Sequence, residues 1–221
     1  MRAQLALRAE RLRSGDRPLG WKVGFGSPAA FTRLGTRAPL VGFLTESARV
    51  EDGGTVSLDG WTRAAAEPEV AVHLCADLAG GAHADAARDA IAGVGPAIEL
   101  ADVAFEPDDV EAILAANVFQ RHVVLGAHDP GRAGGSLAGL AGRVALDGEE
   151  IARTEDLEAL TGGLVDLVAH VADTLAACGE RLRAGDVVIA GSFVPPLDAE
   201  PGRALAVELV PGAGVRVGFR A

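Results

Sequence analysis

Tyrosine is absent from this chain of 221 residues, and the remaining aromatics are seven Phe and two Trp. So few flat rings leave little on which nucleic-acid bases could stack. Positive charge is also short: a net charge of −11 and a pI near 4.9 argue against phosphate backbones as partners. Two cysteines, Cys75 and Cys178, are too few and too far apart for a disulfide framework or a zinc site, and Cys75 is expected to pack as a small hydrophobe. No run of 18 apolar residues exists to span a membrane. The N-terminus lacks the continuous apolar segment of a signal peptide, so a reducing, cytoplasmic setting is expected.

What the chain does have is carboxylates in unexpected places. Glu67 and Glu69, in Ala66-Glu67-Pro68-Glu69-Val70, and Glu99, in Ala97-Ile98-Glu99-Leu100, sit inside runs that otherwise read as buried strands. Residues two apart on a strand share a face, so Glu67 and Glu69 project together while Val70, Val72 and Leu74 take the opposite side. Adjacent buried carboxylates repel and are costly to desolvate unless something neutralises them. A hard cation such as Mg²⁺ or Mn²⁺, which prefers oxygen ligands, is one solution. A solvated edge strand marked by Pro68 is the other.

Lys22 is the only lysine in the chain; every other basic residue apart from histidine is arginine. It lies in Gly20-Trp21-Lys22-Val23-Gly24, where glycines permit close approach, and lysine can lose its proton when desolvated. It reads equally as a surface lysine lying along a sheet. Gly24-Phe25-Gly26-Ser27-Pro28-Ala29 superficially resembles a dinucleotide fingerprint, but Pro28 is expected to interrupt the helix start and little strand precedes Gly24. His73 and His122 read as core histidines, with a metal-supporting or pocket-lining role as the alternative. Asn117 reads as a helix C-cap, and Ser192 as a turn serine or an anion contact.

The remaining pattern predicts helices over 2–14, 85–92, 107–116 and 156–178 and strands near 55–58, 67–74, 97–100, 121–125, 186–190, 204–210 and 215–219. An extended piece is expected over 39–44 and a hairpin at Asp147-Gly148. Strands outnumber helices in irregular order, which points to an α+β fold.

Taken together, Gly20-Trp21-Lys22-Val23-Gly24, Glu67-Pro68-Glu69-Val70-Ala71, Ala97-Ile98-Glu99-Leu100-Ala101-Asp102 and Leu182-Arg183-Ala184-Gly185-Asp186-Val187-Val188-Ile189-Ala190-Gly191-Ser192 resemble the fumarylacetoacetate hydrolase superfamily. The branch they resemble is that of 2-keto-4-pentenoate hydratase and 4-oxalocrotonate decarboxylase. The resemblance implies a single catalytic domain over 1–221: a mixed β-roll core of residues 51–221 with residues 1–50 as an N-terminal α/β extension packed on it, in a homo-oligomer. It also implies Mg²⁺ or Mn²⁺ on Glu67, Glu69 and Glu99, catalysis by Lys22, and substrate contacts from Ser27, Asn117 and Ser192. The implied function is a lyase of hydratase type on small 2-hydroxy-dienoate or 2-oxo acids, with a decarboxylase or C–C bond hydrolase as alternative. Hydratases of the branch carry acids where this chain has Leu40 and Ala116, and Gly26 stands where a Thr is usual. A catalytically silent homologue that binds 2-oxo acids with metal therefore stays open.

Overall fold

The apolar runs of the sequence become strands of two sheets. The computed structural model describes residues 1–221, and the elements follow in chain order. Helix α1 (Arg2–Arg13) leads to strand β1 (Pro18–Gly24), helix α2 (Pro28–Leu34) and strand β2 (Leu40–Thr45). Two short strands, β3 (Arg49–Val50) and β4 (Thr55–Ser57), precede the long β5 (Ala64–Leu74). Helix α3 (Ala84–Asp89), β6 (Ile91–Asp102), helix α4 (Val110–Ala115) and β7 (Gln120–Leu125) follow. The hairpin of β8 (Ala141–Leu146) and β9 (Glu149–Thr154) turns at Asp147-Gly148, both at positive φ, as that dipeptide favours. Helix α5 (Leu164–Ala176) then leads into β10 (Val187–Ser192), β11 (Leu197–Asp198), β12 (Ala204–Val210) and β13 (Gly214–Arg220).

The larger sheet has the order β2-β1-β10-β5-β6-β7-β3, with β11 added beside β5; the smaller runs β4-β13-β12-β8-β9. Parallel and antiparallel pairs are mixed, and the few helices pack around the sheets, which makes the fold α+β. The main core lies between the sheets. Val70, Val72, Ile98 and Leu100 meet Val144, Val207 and Val217 there, together with Leu167, Val168 and Val171 of α5.

Several elements differ from the sequence expectation, each for a local reason. Residues 18–45 are not a layer packed on the core, because β1 and β2 are strands of the larger sheet and β1 pairs in parallel with β10. Helix α5 begins at Leu164 rather than Asp156: Gly162 adopts φ 84°, and the Glu158 carboxylate accepts the Leu164 N–H at 2.8 Å. Helix α4 begins at Val110 rather than at 107, because Asp109 caps it by accepting from Glu111 and Ala112. Helix α3 stops at Asp89, and Ile91 already opens β6, which continues through Pro96 for 12 residues. Cys75 is exposed rather than packed inside.

Pro28 does not interrupt a helix: it occupies the first turn of α2, where a missing N–H costs nothing, and Ser27 caps that turn. The dinucleotide motif fails on topology instead. The strand following α2 is β2, which pairs antiparallel with β1, so no βαβ unit forms.

Candidate metal centre and cavity

Strands β5 and β6 set the geometry of the centre. They pair antiparallel with Glu67 directly opposite Glu99 and Glu69 opposite Ala97, so all three carboxylates rise from one face. β5 lies between β10 and β6, inside the sheet, which removes the solvated-edge reading of Pro68. On this face small or aliphatic residues, Ala71, Ala97 and Ile189, continue from the acids. One oxygen from each of Glu67, Glu69 and Glu99 lies within 4.8 Å of the others. Glu69 and Glu99 are fully buried.

The charges are incompletely answered. Glu69 Oε2 accepts the Gly191 N–H at 2.7 Å, but its Oε1 has no partner, and neither does Glu99 Oε2. Burial, then the neighbouring Glu99, pushes the Glu67 carboxyl up to about 7 against the pull of Lys22. Burial, Glu99 and Glu67 push Glu69 well above the carboxylate range. Orphaned, mutually repelling carboxylate oxygens at this spacing suit an oxygen-seeking divalent cation.

Lys22, 2 % exposed, projects onto the same face and donates to Glu99 Oε1 and, at 3.3 Å, to the Val118 carbonyl. Burial pulls its pKa down, but Glu99, Glu67 and Glu69 outweigh that and the net direction is up. Two glycines make the slot for its side chain. A Cβ at Gly42, directly across from Lys22, would lie 2.8 Å from Lys22 Cγ; one at Gly24 would lie 2.9 Å from Val118 Cγ1.

Asn117 is drawn into this wall rather than into the open cavity. Asn117, Val118 and Phe119 all have positive φ (53°, 53° and 64°), a conformation costing about 1–2 kcal/mol per non-glycine residue. The Asn117 amide holds the turn. It accepts the Phe43 N–H at 2.8 Å, donates to the Phe43 carbonyl at 2.9 Å, and accepts from the buried Gln4 side chain at 3.0 Å. In effect the side chain supplies one more rung to the edge strand β2. It does not line the cavity, so its part is to turn the Val118 carbonyl onto Lys22.

Beside Glu67 opens a cavity of about 600 Å³, whose lining includes Lys22, Glu67, Ser27 and Ser192. The Ser192 hydroxyl donates to the Pro68 carbonyl at 3.1 Å. Ser27 Oγ accepts the Ala30 N–H at 3.2 Å. His73 and His122 stand elsewhere. His73 stacks on His128 at 4.4 Å between ring centroids, and burial with His128 and Arg49 lowers it to about 4. His122 stacks on Trp61 at 5.9 Å. Gly42, Val118 and Gln4 were not legible as site residues in the sequence, because strand pairing and the turn at 117–119 bring them to Lys22 and Asn117.

Comparison with known proteins agrees with this geometry. The model of the fumarylacetoacetate hydrolase C-terminal family matches residues 23–218. The chain belongs to that family. Among curated family members it is 32% identical over 205 residues to 2-hydroxyhexa-2,4-dienoate hydratase of Comamonas testosteroni, covering 90% of this chain and 77% of that one. It is 29% identical over 213 residues to a 4-oxalocrotonate decarboxylase of a Pseudomonas species, covering 93% and 80%. Among solved structures it superimposes on the 4-oxalocrotonate decarboxylase from Pseudomonas putida G7, complexed with magnesium and adipate. That match has a TM-score of 0.88 at 26% identity and covers 98% of this chain and 83% of the other.

Proposed function

We propose that this family member is a Mg²⁺- or Mn²⁺-dependent lyase acting on small 2-hydroxy-dienoate or 2-oxo acids, of hydratase type. The observation that carries the reading is the triad Glu67, Glu69 and Glu99, with one unpartnered oxygen on each of the buried Glu69 and Glu99, beside a cavity that Glu67 lines. Glu67, Glu69 and Glu99 would hold the metal, which when bound supplies a Lewis acid for the carboxylate and 2-oxo oxygens of the acid. Lys22 carries its proton at the cavity floor and is the donor placed to deliver it to substrate carbon or oxygen. Gly191 N–H orients Glu69, and the Val118 carbonyl orients Lys22. Ser27 and Ser192, both on residues that line the cavity, would offer their hydroxyls to substrate.

One observation favours a decarboxylase on the same scaffold. Leu40 is buried in an apolar cluster with Val118 and Phe119, and Ala116 packs against it. Neither position therefore contributes a titratable group, and hydration needs more proton handling than loss of CO₂ does.

A cytoplasmic setting and a homo-oligomer belong to the same reading. The first is supported by two free, exposed cysteines, and the second by the exposed Ile151 on the edge strand β9. No helix is long and apolar enough to cross a membrane. Light scattering reads the assembly.

The test of the site is thermal unfolding with Mg²⁺ and oxalate, a mimic of the chelating end of a 2-oxo acid. At 100 times its dissociation constant oxalate should add about 2.7 kcal/mol of stability, only with metal and not in Glu67→Ala. Absence of any shift with Mg²⁺ or Mn²⁺ would remove the reading. With the site established, loss of dienol absorbance against release of CO₂ separates hydratase from decarboxylase.

A further inference from the structure

Helix α1 has one buried residue, and that residue is polar: Gln4 is fully shielded from solvent. The rest of the helix is attached by partial contacts. Leu5 and Leu7 pack partly against the core, Arg8 stacks over Trp21 at 4.7 Å and Arg11 over Phe43 at 5.3 Å. An amide is costly to bury unless its groups are hydrogen-bonded. Gln4 Nε2 donates to the Val41 carbonyl at 3.0 Å and to Asn117 Oδ1 at 3.0 Å, while its Oε1 has no partner. A methionine would fill the same space without stranding an oxygen. Packing therefore does not account for a glutamine at this position, and its two bonds do.

Both bonds end beside the slot that holds Lys22. Val41 precedes Gly42 on β2, and Gly42 stands across from Lys22 on β1. A Cβ at Gly42 would lie 2.8 Å from Lys22 Cγ and 3.2 Å from Asn117 Oδ1, so the lysine stem and the Asn117 amide meet over that one glycine. Asn117 Oδ1 has two lone pairs, taken by Gln4 and by the Phe43 N–H at 2.8 Å. The amide anchors the turn Asn117–Phe119, and successive non-glycine residues at positive φ persist only where their surroundings over-determine them. The Val118 carbonyl at the centre of that turn and Glu99 are the two acceptors on the Lys22 ammonium. An ammonium has three N–H groups, so these two acceptors fix where the third points.

We infer that Gln4 is a positioning residue for Lys22. By holding the Asn117 amide it keeps the Val118 carbonyl on the ammonium and so aims the remaining N–H. Gln4 does not line the cavity and acts only through Asn117 and β2. The inference rests on the reading of Lys22 as proton donor and names what aims it.

Lys22 is the only lysine, so lysine labelled with ¹³C at Cε gives the full chain a single nuclear magnetic resonance signal that reports this side chain alone. The unaltered protein is expected to show one narrow resonance away from the position of free lysine. Gln4→Met removes both bonds at nearly the same volume, and the signal should move toward the free-lysine position and broaden. Gln4→Leu repeats the loss with a different shape, keeps the test open should one variant disturb the fold, and is expected to do the same. Leu7→Ala loosens the seating of α1 but touches neither bond, and should leave the signal in place. An unmoved signal in the Gln4 variants overturns the inference. So does an equal shift in Leu7→Ala, because the effect would then come from the seating of the helix and not from the bonds. Mg²⁺ with oxalate should move the signal of the unaltered protein. If it does not, Lys22 does not face the acid, and the inference falls together with the underlying reading; a failure confined to the Gln4 variants leaves that reading standing.

Discussion

Strand β6 carries two buried acids three residues apart, Glu99 and Asp102, and the fold treats them in opposite ways. Asp102 has its oxygens answered within the chain. One accepts the N–H groups of Thr62 at 2.8 Å and Arg63 at 3.1 Å, and the other accepts from Arg121 at 2.9 Å. Burial alone would raise its pKa, but Arg121 and the two peptide donors outweigh it and hold the carboxyl low. Glu99 has Lys22 on one oxygen and nothing on the other, and it faces two further carboxylates. A carboxylate that ties structure together has its lone pairs occupied by its own chain. One kept for a ligand is left short, and the protein carries the cost until the ligand arrives.

The sharpest way to test that contrast is on activity. Lys22→Ala should lower turnover of the acid by about 10²–10⁴-fold while calorimetry still detects Mg²⁺ binding, because the proton donor is lost and the three acids remain. Full activity in that variant would mean the lysine only balances charge. Asp102→Ala should instead cost about 3 kcal/mol in urea unfolding, since it strands two peptide donors and an arginine, with turnover per folded molecule retained. A cost below about 1 kcal/mol would erase the distinction between the two acids.

The pH dependence should run in opposite directions at the two places. Glu67 is raised from 4.5 to about 7, so without metal the folded state holds a proton that the unfolded chain has already released. Stability therefore falls as pH rises from 4.5 to about 7. Saturating Mg²⁺ should flatten that slope by occupying the carboxylates. Asp102 is depressed, so its contribution is present above the ordinary Asp value and is lost as pH falls below it. Melting temperatures from pH 4 to 8, with and without Mg²⁺, read the first effect, and acid titration of Asp102→Asn against the parent reads the second. Smallest of all, Arg121→Gln should cost about 1 kcal/mol or less, because that side chain is half exposed and the two peptide donors stay on Asp102.

The site was legible where chemistry shows as an anomaly of composition. Glutamates inside apolar strands and a single lysine in an arginine-rich chain both stand out without any structure, and the resemblance joined them into one centre. The amphipathic stripe Leu164, Leu167, Val168, Val171 and Leu175 was equally readable, and all five are buried. Element ends were less so: Glu158, accepting the Leu164 N–H, and Asp109, accepting from Glu111 and Ala112, settle where α5 and α4 begin through side-chain hydrogen bonds that periodicity does not encode.

By itself, then, the sequence determined which residues are chemically unusual and which faces must be buried, because charge, polarity and the two-residue strand period are local properties. Only the tertiary structure decided that Glu67 faces Glu99 across β5 and β6, and that β1 enters the sheet to bring Lys22 to them. It also decided that Asn117 holds a left-handed turn instead of reaching the cavity, and that Gln4, 113 residues away, bonds to it. Those outcomes depend on register and on pairings between residues tens of positions apart, where each polar group takes the partner that the assembled sheet leaves within reach.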